Sequence, residues 1–168
     1  MKGFFSFPNP VNDAAARSVA LGVVVLSLVT FVSGQAWLLI PLAYGFAARV
    51  AAGPKVSPLG WFAVHVSGPR LKSWEKFVPG PPKRFAQSIG LAFSLAALLT
   101  WLGAGWLDAR WLLLPLLGAA SLEGFFGFCL GCAIFAWLMR AGLVPESVCT
   151  ECADLSARYR RAGYDVAP

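Results

Sequence analysis

Four apolar runs, each close to the length a helix needs to cross a bilayer, constrain this chain more than any other feature. A hydrocarbon core of roughly 30 Å takes about 20 apolar residues in a helix, and the runs lie at about 16–33, 37–52, 85–103 and 111–139. The first contains Val23, Val24, Val25, Leu26 and Leu28 and no charge past Arg17 at its start. Only Gly34 and Gln35 separate it from the second, and so short a connection makes the two antiparallel neighbours. Arg49 stands one turn from the second run's end, where its side chain can reach the headgroups. Composition agrees, with 58% hydrophobic and 13% charged residues, against about a quarter charged in a soluble domain. Residues 1–13 carry two prolines and one lysine and lack a separate apolar core, so they do not read as a cleaved signal peptide.

The segment 54–84 is proline-rich and basic, with Lys55, Arg70, Lys72, Lys76 and Lys83 alongside Trp61, Phe62, Trp74 and Phe77. It is too polar to span and suits the headgroup boundary, an ordinary solvated loop being the alternative. Asp108 and Arg110 mark a short turn before the fourth run. That run would be about 45 Å long as one helix, longer than the bilayer core. It therefore either projects from the membrane or bends near Gly124, Gly127 and Gly131, small residues that also permit close helix packing. Beyond Gly142 the chain turns polar, and 146–163 reads as a soluble helix opened by Pro145 and Glu146, with Val148, Cys152, Leu155 and Tyr159 on one face.

The chain looks duplicated. Trp37-Leu-Leu-Ile-Pro-Leu42 is matched by Trp111-Leu-Leu-Leu-Pro-Leu116, five residues of six identical. Upstream, residues 17–28 resemble 84–95, and downstream Pro58-Leu-Gly60 parallels Cys129-Leu-Gly131. Units of about 14–62 and 81–137, each with two spans, share one orientation, which predicts a pseudo-twofold axis along the membrane normal. The formal net charge of +6 lies mostly between the apolar runs; it reads as a topology signal, and no nucleic-acid partner is expected. From Arg49 to Arg84 there are seven basic residues against the single acid Glu75, so the central loop, and with it both termini, is expected in the cytoplasm. The fold class is an all-α membrane protein: a four-helix domain over 1–142 as two repeated hairpins, then a cytoplasmic tail helix within 143–168.

Four cysteines form two pairs, Cys129 with Cys132 near the cytoplasmic end of the fourth run and Cys149 with Cys152 in the tail. Two intervening residues put both sulfurs on one side of a helical turn, where they can exchange disulfides or share a metal ion. The 16 residues between the pairs fall in the range of a four-cysteine zinc site. Three readings stay open: a redox or sulfur-carrying dithiol, a structural zinc or iron site on Cys129, Cys132, Cys149 and Cys152, and apolar packing. A constitutive structural disulfide does not suit a cytoplasmic setting.

Glu123 is the sole acid inside an apolar run, either functional or a helix tether, with Arg49 at the matching place in the first copy. On a straight helix it would lie about 180° from Cys132 and 120° from Cys129, so proton transfer would need a bend or a second subunit. His65 is the only histidine, which excludes haem ligation by a histidine pair. No phosphate loop, catalytic triad or paired carboxylate site is visible.

Gly127-Phe-Cys-Leu-Gly-Cys132, Arg84-Phe-Ala-Gln-Ser-Ile-Gly-Leu91, Ser57-Pro-Leu-Gly60 and Gly68-Pro-Arg-Leu71 together resemble a bacterial membrane family described as domain of unknown function 4395, over about 9–140. Some members of that family occur beside rhodanese-like or thioredoxin-like proteins, so the resemblance implies sulfur or thiol chemistry, such a soluble partner, and the bacterial cytoplasmic membrane. Members often have an acid after the second cysteine, where this chain has Ala133, and an amide near the position of Glu123. The leading expectation is a membrane dithiol protein using Cys129, Cys132, Cys149 and Cys152 in thiol–disulfide exchange or sulfur transfer, with Glu123 as a further candidate. A non-enzymatic subunit of a larger membrane complex with a four-cysteine metal site stands beside it, and a small channel or carrier behind it. Whether the chain is an enzyme stays open.

Overall fold

Asn12 sets where the first long helix begins. Its extended backbone leaves the side-chain Oδ1 free to accept the N–H groups of Ala14 at 2.9 Å and Ala15 at 3.4 Å, two donors a helix start otherwise leaves unpaired. In the computed structural model, which describes residues 11–53, 56–67, 77–149 and 152, helix α1 thus spans Asp13–Ser33, three residues earlier than its apolar run. It stops at Gly34, whose left-handed backbone (φ 69°) suits a residue without Cβ. Just before α1, Val11–Asn12 (β1) pairs antiparallel with Phe77–Val78 (β2), a contact that no apolar period announces.

The matched hexapeptides fold alike. Each enters through a 3₁₀ turn, Ala36–Leu38 or Arg110–Leu112, and continues as a helix, α2 over Leu39–Ala52 and, further on, α6 over Leu113–Ser121. Trp37 and Trp111 are exposed, whereas Leu39, Leu42, Leu113 and Leu116 are all buried in one core with Val23, Phe46, Ala97 and Ala120. Between the two copies, Ser57 caps the short helix α3 (Pro58–Phe62) by accepting the Gly60 N–H. A π turn, Ala63–Ser67, prolongs α3, and Leu59 of α3 lies close against Gly22 of α1. This stretch of the basic central segment is therefore a helix on the bundle; residues 68–76 lie outside the described residues.

Helix α4 spans Gly80–Ala104, starting five residues before its apolar run because Pro81 and Pro82 serve in a first turn, where a missing N–H costs nothing. The turn expected at Asp108 and Arg110 lies at Gly105 (φ 101°), a conformation side-chain-bearing residues rarely adopt. Asp108 and Arg110 are instead inside the following helical stretch, α5 (Trp106–Ala109), the 3₁₀ turn, α6 and a π turn over Leu122–Phe126. There the fourth run breaks. Residues 127–129 are irregular, and α7 (Leu130–Arg140) follows.

The chain is thus mostly helical, and among the described residues three stretches are long and apolar enough to cross a membrane: Asp13–Ser33, Gly80–Ala104 and Trp106–Phe126. Ala36–Ala52 and Leu130–Arg140 are shorter apolar helices. Of the tail helix expected over 146–163, the 3₁₀ turn Glu146–Val148, Cys149 and Cys152 are described; the rest lies outside the described residues.

Two glycines of α4 separate packing from propensity. A Cβ on Gly90 would run into the Phe46 ring, whereas one on Gly103 would meet nothing within 4 Å. Gly90→Val should destabilise the fold by about 1–3 kcal/mol through overpacking, and Gly103→Ala should stabilise it by roughly 0.5–1 kcal/mol through helix propensity. Thermal unfolding in detergent micelles checks this; equal effects from the two would refute the α2–α4 packing.

Candidate functional site

The break in the fourth run builds the site. Gly127 takes a left-handed backbone (φ 70°) and donates its N–H to the Glu123 carbonyl at 3.0 Å, while the Phe128 N–H reaches the Leu122 carbonyl at 3.1 Å. Arg17 of α1 closes the same helix end from outside, its Nη2 donating to the Phe125 carbonyl at 2.9 Å. After this turn Cys129 occupies the N-cap of α7, and its Sγ accepts the Cys132 N–H at 3.3 Å. Gly131, between the cysteines, lets α7 settle on α4, since a Cβ there would stand 2.6 Å from the Ala86 Cα. Of the two outcomes open for the fourth run, the bend holds.

Three helices converge on one ammonium group. Lys83, in the first turn of α4, places Nζ 2.6 Å from Glu123 Oε1 and 3.0 Å from Asp13 Oδ1. Its side chain is 6% exposed and both carboxylates 14%. Glu123 is therefore a tether, with Lys83 as its partner. Arg49 is engaged elsewhere: its Nε donates to Gln87 Oε1 at 2.8 Å and its Nη1 to Ser57 Oγ at 3.3 Å, and the guanidinium lies over the Phe46 ring. Sequence reasoning missed Lys83 and Asp13, having assigned Lys83 to the basic loop. The signal was available in Gly80-Pro-Pro, a helix start that carries Lys83 into the bundle.

Cys129 and Cys132 are free thiols, partly exposed. Cys149 and Cys152 are joined in a disulfide, with Cys149 buried. A cavity of about 590 Å³ is lined by Cys129, Cys132 and Cys152 together with Asp13, Arg17 and Lys83, so one cysteine of the tail pair shares a cavity with the other two. Hydrogen bonding from Cys132 holds the Cys129 thiol below its ordinary value against the cost of burial and the nearby Glu123 carboxylate, which the Lys83 ammonium partly offsets. The same hydrogen bonding, with burial added, pushes the Cys132 thiol up. One nucleophilic and one proton-holding thiol side by side is the division of labour that disulfide exchange uses.

With Cys149 and Cys152 bonded to each other, the donor set for a four-thiolate metal ion is not assembled in this state. Among the described residues no group of three or more His, Cys, Asp or Glu side chains is placed to hold a metal. His65 is exposed, stacked on Trp61 with Nδ1–H donating to the Trp61 carbonyl, and does not line the thiol cavity.

A mostly helical chain with three helices fit to cross a membrane among its described residues, presenting one dithiol and one sulfur of a disulfide to a single cavity, defines the class. The chain belongs to the family described as Domain of unknown function (DUF4395), which it matches over residues 11–140. No curated protein and no solved structure matches it. The family match covers Cys129 and Cys132; Cys149 and Cys152 lie beyond it.

Replacing Lys83 by Met leaves Asp13 and Glu123 facing each other with no cation between them. Because breaking one partner of a largely buried ion cluster costs about 3–5 kcal/mol, the single variant should show a marked fall in thermal midpoint. Lys83→Met combined with Asp13→Asn and Glu123→Gln should recover most of it. A triple variant no more stable than the single would show that the three charges are not coupled.

Proposed function

We propose that this chain is a membrane dithiol protein that passes electrons between Cys129/Cys132 and Cys149/Cys152 and, through the tail pair, exchanges them with a soluble thioredoxin-like partner. The observation that carries this reading is the single cavity lined by Cys129, Cys132 and Cys152. The Cys129 thiolate attacks Cys152 Sγ; a Cys129–Cys152 bond forms, the Cys149–Cys152 bond breaks, and Cys149 leaves as a thiolate. Cys132 then gives up its proton and attacks Cys129 Sγ, forming the Cys129–Cys132 disulfide and releasing Cys152. Two thiols are oxidised as one disulfide is reduced, the proton of Cys132 passing to the thiolate released. The same steps in reverse oxidise the tail pair. Attack on Cys152 rather than Cys149 follows from access, since Cys152 lines the cavity and Cys149 is buried.

The membrane setting proposed with it has four crossings in two repeated hairpins: Asp13–Ser33 with Ala36–Ala52, and Gly80–Ala104 with Trp106–Phe126. In support, both hexapeptides enter their helices in the same way, and apolar side chains such as Val32, Leu99, Leu102 and Phe126 are exposed on the outside. The basic central segment puts the cysteines on the cytoplasmic side of a bacterial inner membrane. There protein disulfides are transient and catalytic more often than structural, which suits a tail pair that cycles. A four-thiolate zinc or iron site would require that pair to be reduced first.

In a Cys132→Ser variant, which cannot resolve the mixed disulfide, peptide mapping by mass spectrometry should recover a Cys129–Cys152 link. In Cys129→Ser, Cys132 has no partner with which to form a disulfide, so it stops at a mixed disulfide and two-electron transfer to the tail pair should be lost. Unchanged transfer in Cys129→Ser, or zinc or iron at one ion per chain in protein from native membranes, would overturn the proposal.

A further inference from the structure

A second cavity, of about 310 Å³, lies among α1, α2, α4 and α6 and reaches the thiol site from the bundle side. Its lining is apolar, with the Phe46 and Phe93 rings and the exposed Ile134 of α7 among it. Only three side chains on it carry chemistry: Gln87, Glu123 and Cys129. A concave apolar site of this size with a few convergent polar groups fits a small apolar molecule bearing a few acceptors. Since Arg49 Nε donates to Gln87 Oε1, the Gln87 amide nitrogen is left as a donor for a carbonyl.

Cys129 lines both this cavity and the one shared with Cys152. Its position joins a wet exchange site to an apolar one. Electrons that the exchange reaction brings to Cys129/Cys132 need an acceptor, and the apolar cavity is where Cys129 can meet one. That acceptor must take two electrons, dissolve in the bilayer and present carbonyl oxygens. We infer that the inner cavity binds the ring of a lipid-soluble quinone, which oxidises the Cys129/Cys132 dithiol; this rests on the exchange reading above.

The step balances. The Cys129 thiolate adds to a ring carbon, forming an S–C bond. Cys132 attacks Cys129 Sγ, the S–S bond forms, and the S–C bond breaks with its electron pair going to the ring. The two protons given up by the thiols complete the quinol. One dithiol is oxidised to a disulfide and one quinone is reduced to a quinol.

The test uses the full chain in detergent, reduced, freed of reductant and kept under nitrogen, with a short-tailed ubiquinone as probe. One quinol should form per disulfide formed in the chain, and Ala119→Leu, which fills the inner cavity, should slow the reaction by about tenfold or more. Independently of any variant, the corresponding quinol should protect Cys129 of the wild-type chain from alkylation. No quinol from a wild-type chain whose two cysteine pairs still exchange electrons overturns the quinone site alone; absence of both reactions overturns the exchange reading as well. Absence of protection, or equal protection by an alkyl chain without the ring, assigns the cavity to something other than a quinone and overturns the inference.

Discussion

The Lys83 ammonium between Asp13 and Glu123 is the contact on which the rest of the arrangement depends. A cation withdrawn from water is tolerated only where carboxylates compensate it, and here they come from the start of α1 and from the π turn that ends the fourth apolar run. Asp13 is also favourable at the positive end of its own helix. One cluster thus fixes where three helical stretches end relative to one another, at the level where Cys129 caps the next helix.

From that fixed point the geometry of the thiols follows by short steps. Gly127 turns the chain, Arg17 holds the turn by taking the Phe125 carbonyl, and Gly131 lets α7 lie against Ala86. The consequence is electrostatic as well as steric. Cys129 sits at a helix N-terminus with the Cys132 N–H directed at its sulfur, surroundings that favour a thiolate. The tail then returns far enough for Cys152 to line the same cavity.

Much of the fold was legible because a bilayer imposes a simple length rule on apolar runs, and Gly34, Gly53 and Gly127 each end a helix with a positive φ. The bend in the fourth run was one of two outcomes open, and the positive φ at Gly127 is what carries it. The cysteines were legible from spacing alone, and the structure brings Cys129, Cys132 and Cys152 to one cavity. What the sequence hid was pairing across helices. Lys83 reads as one more basic loop residue, and nothing in the period of α1 announces that Asp13 meets it, because such contacts depend on how helices rotate and stack. The β1–β2 pair was hidden for the same reason, and the turn at Gly105 because the charges of Asp108 and Arg110 outweighed a lone glycine.

The central claim is that the two cysteine pairs of one chain lie within reach of each other, and it is tested most directly by following where electrons settle. Fully oxidised protein in native membranes is given one equivalent of dithiothreitol per chain, the excess is removed, and both disulfides are mapped over time. The account predicts that the two disulfides interconvert toward one fixed ratio, at a rate independent of protein concentration. A disulfide that stays wherever it was first left, with no redistribution between residues 129/132 and 149/152, would contradict it.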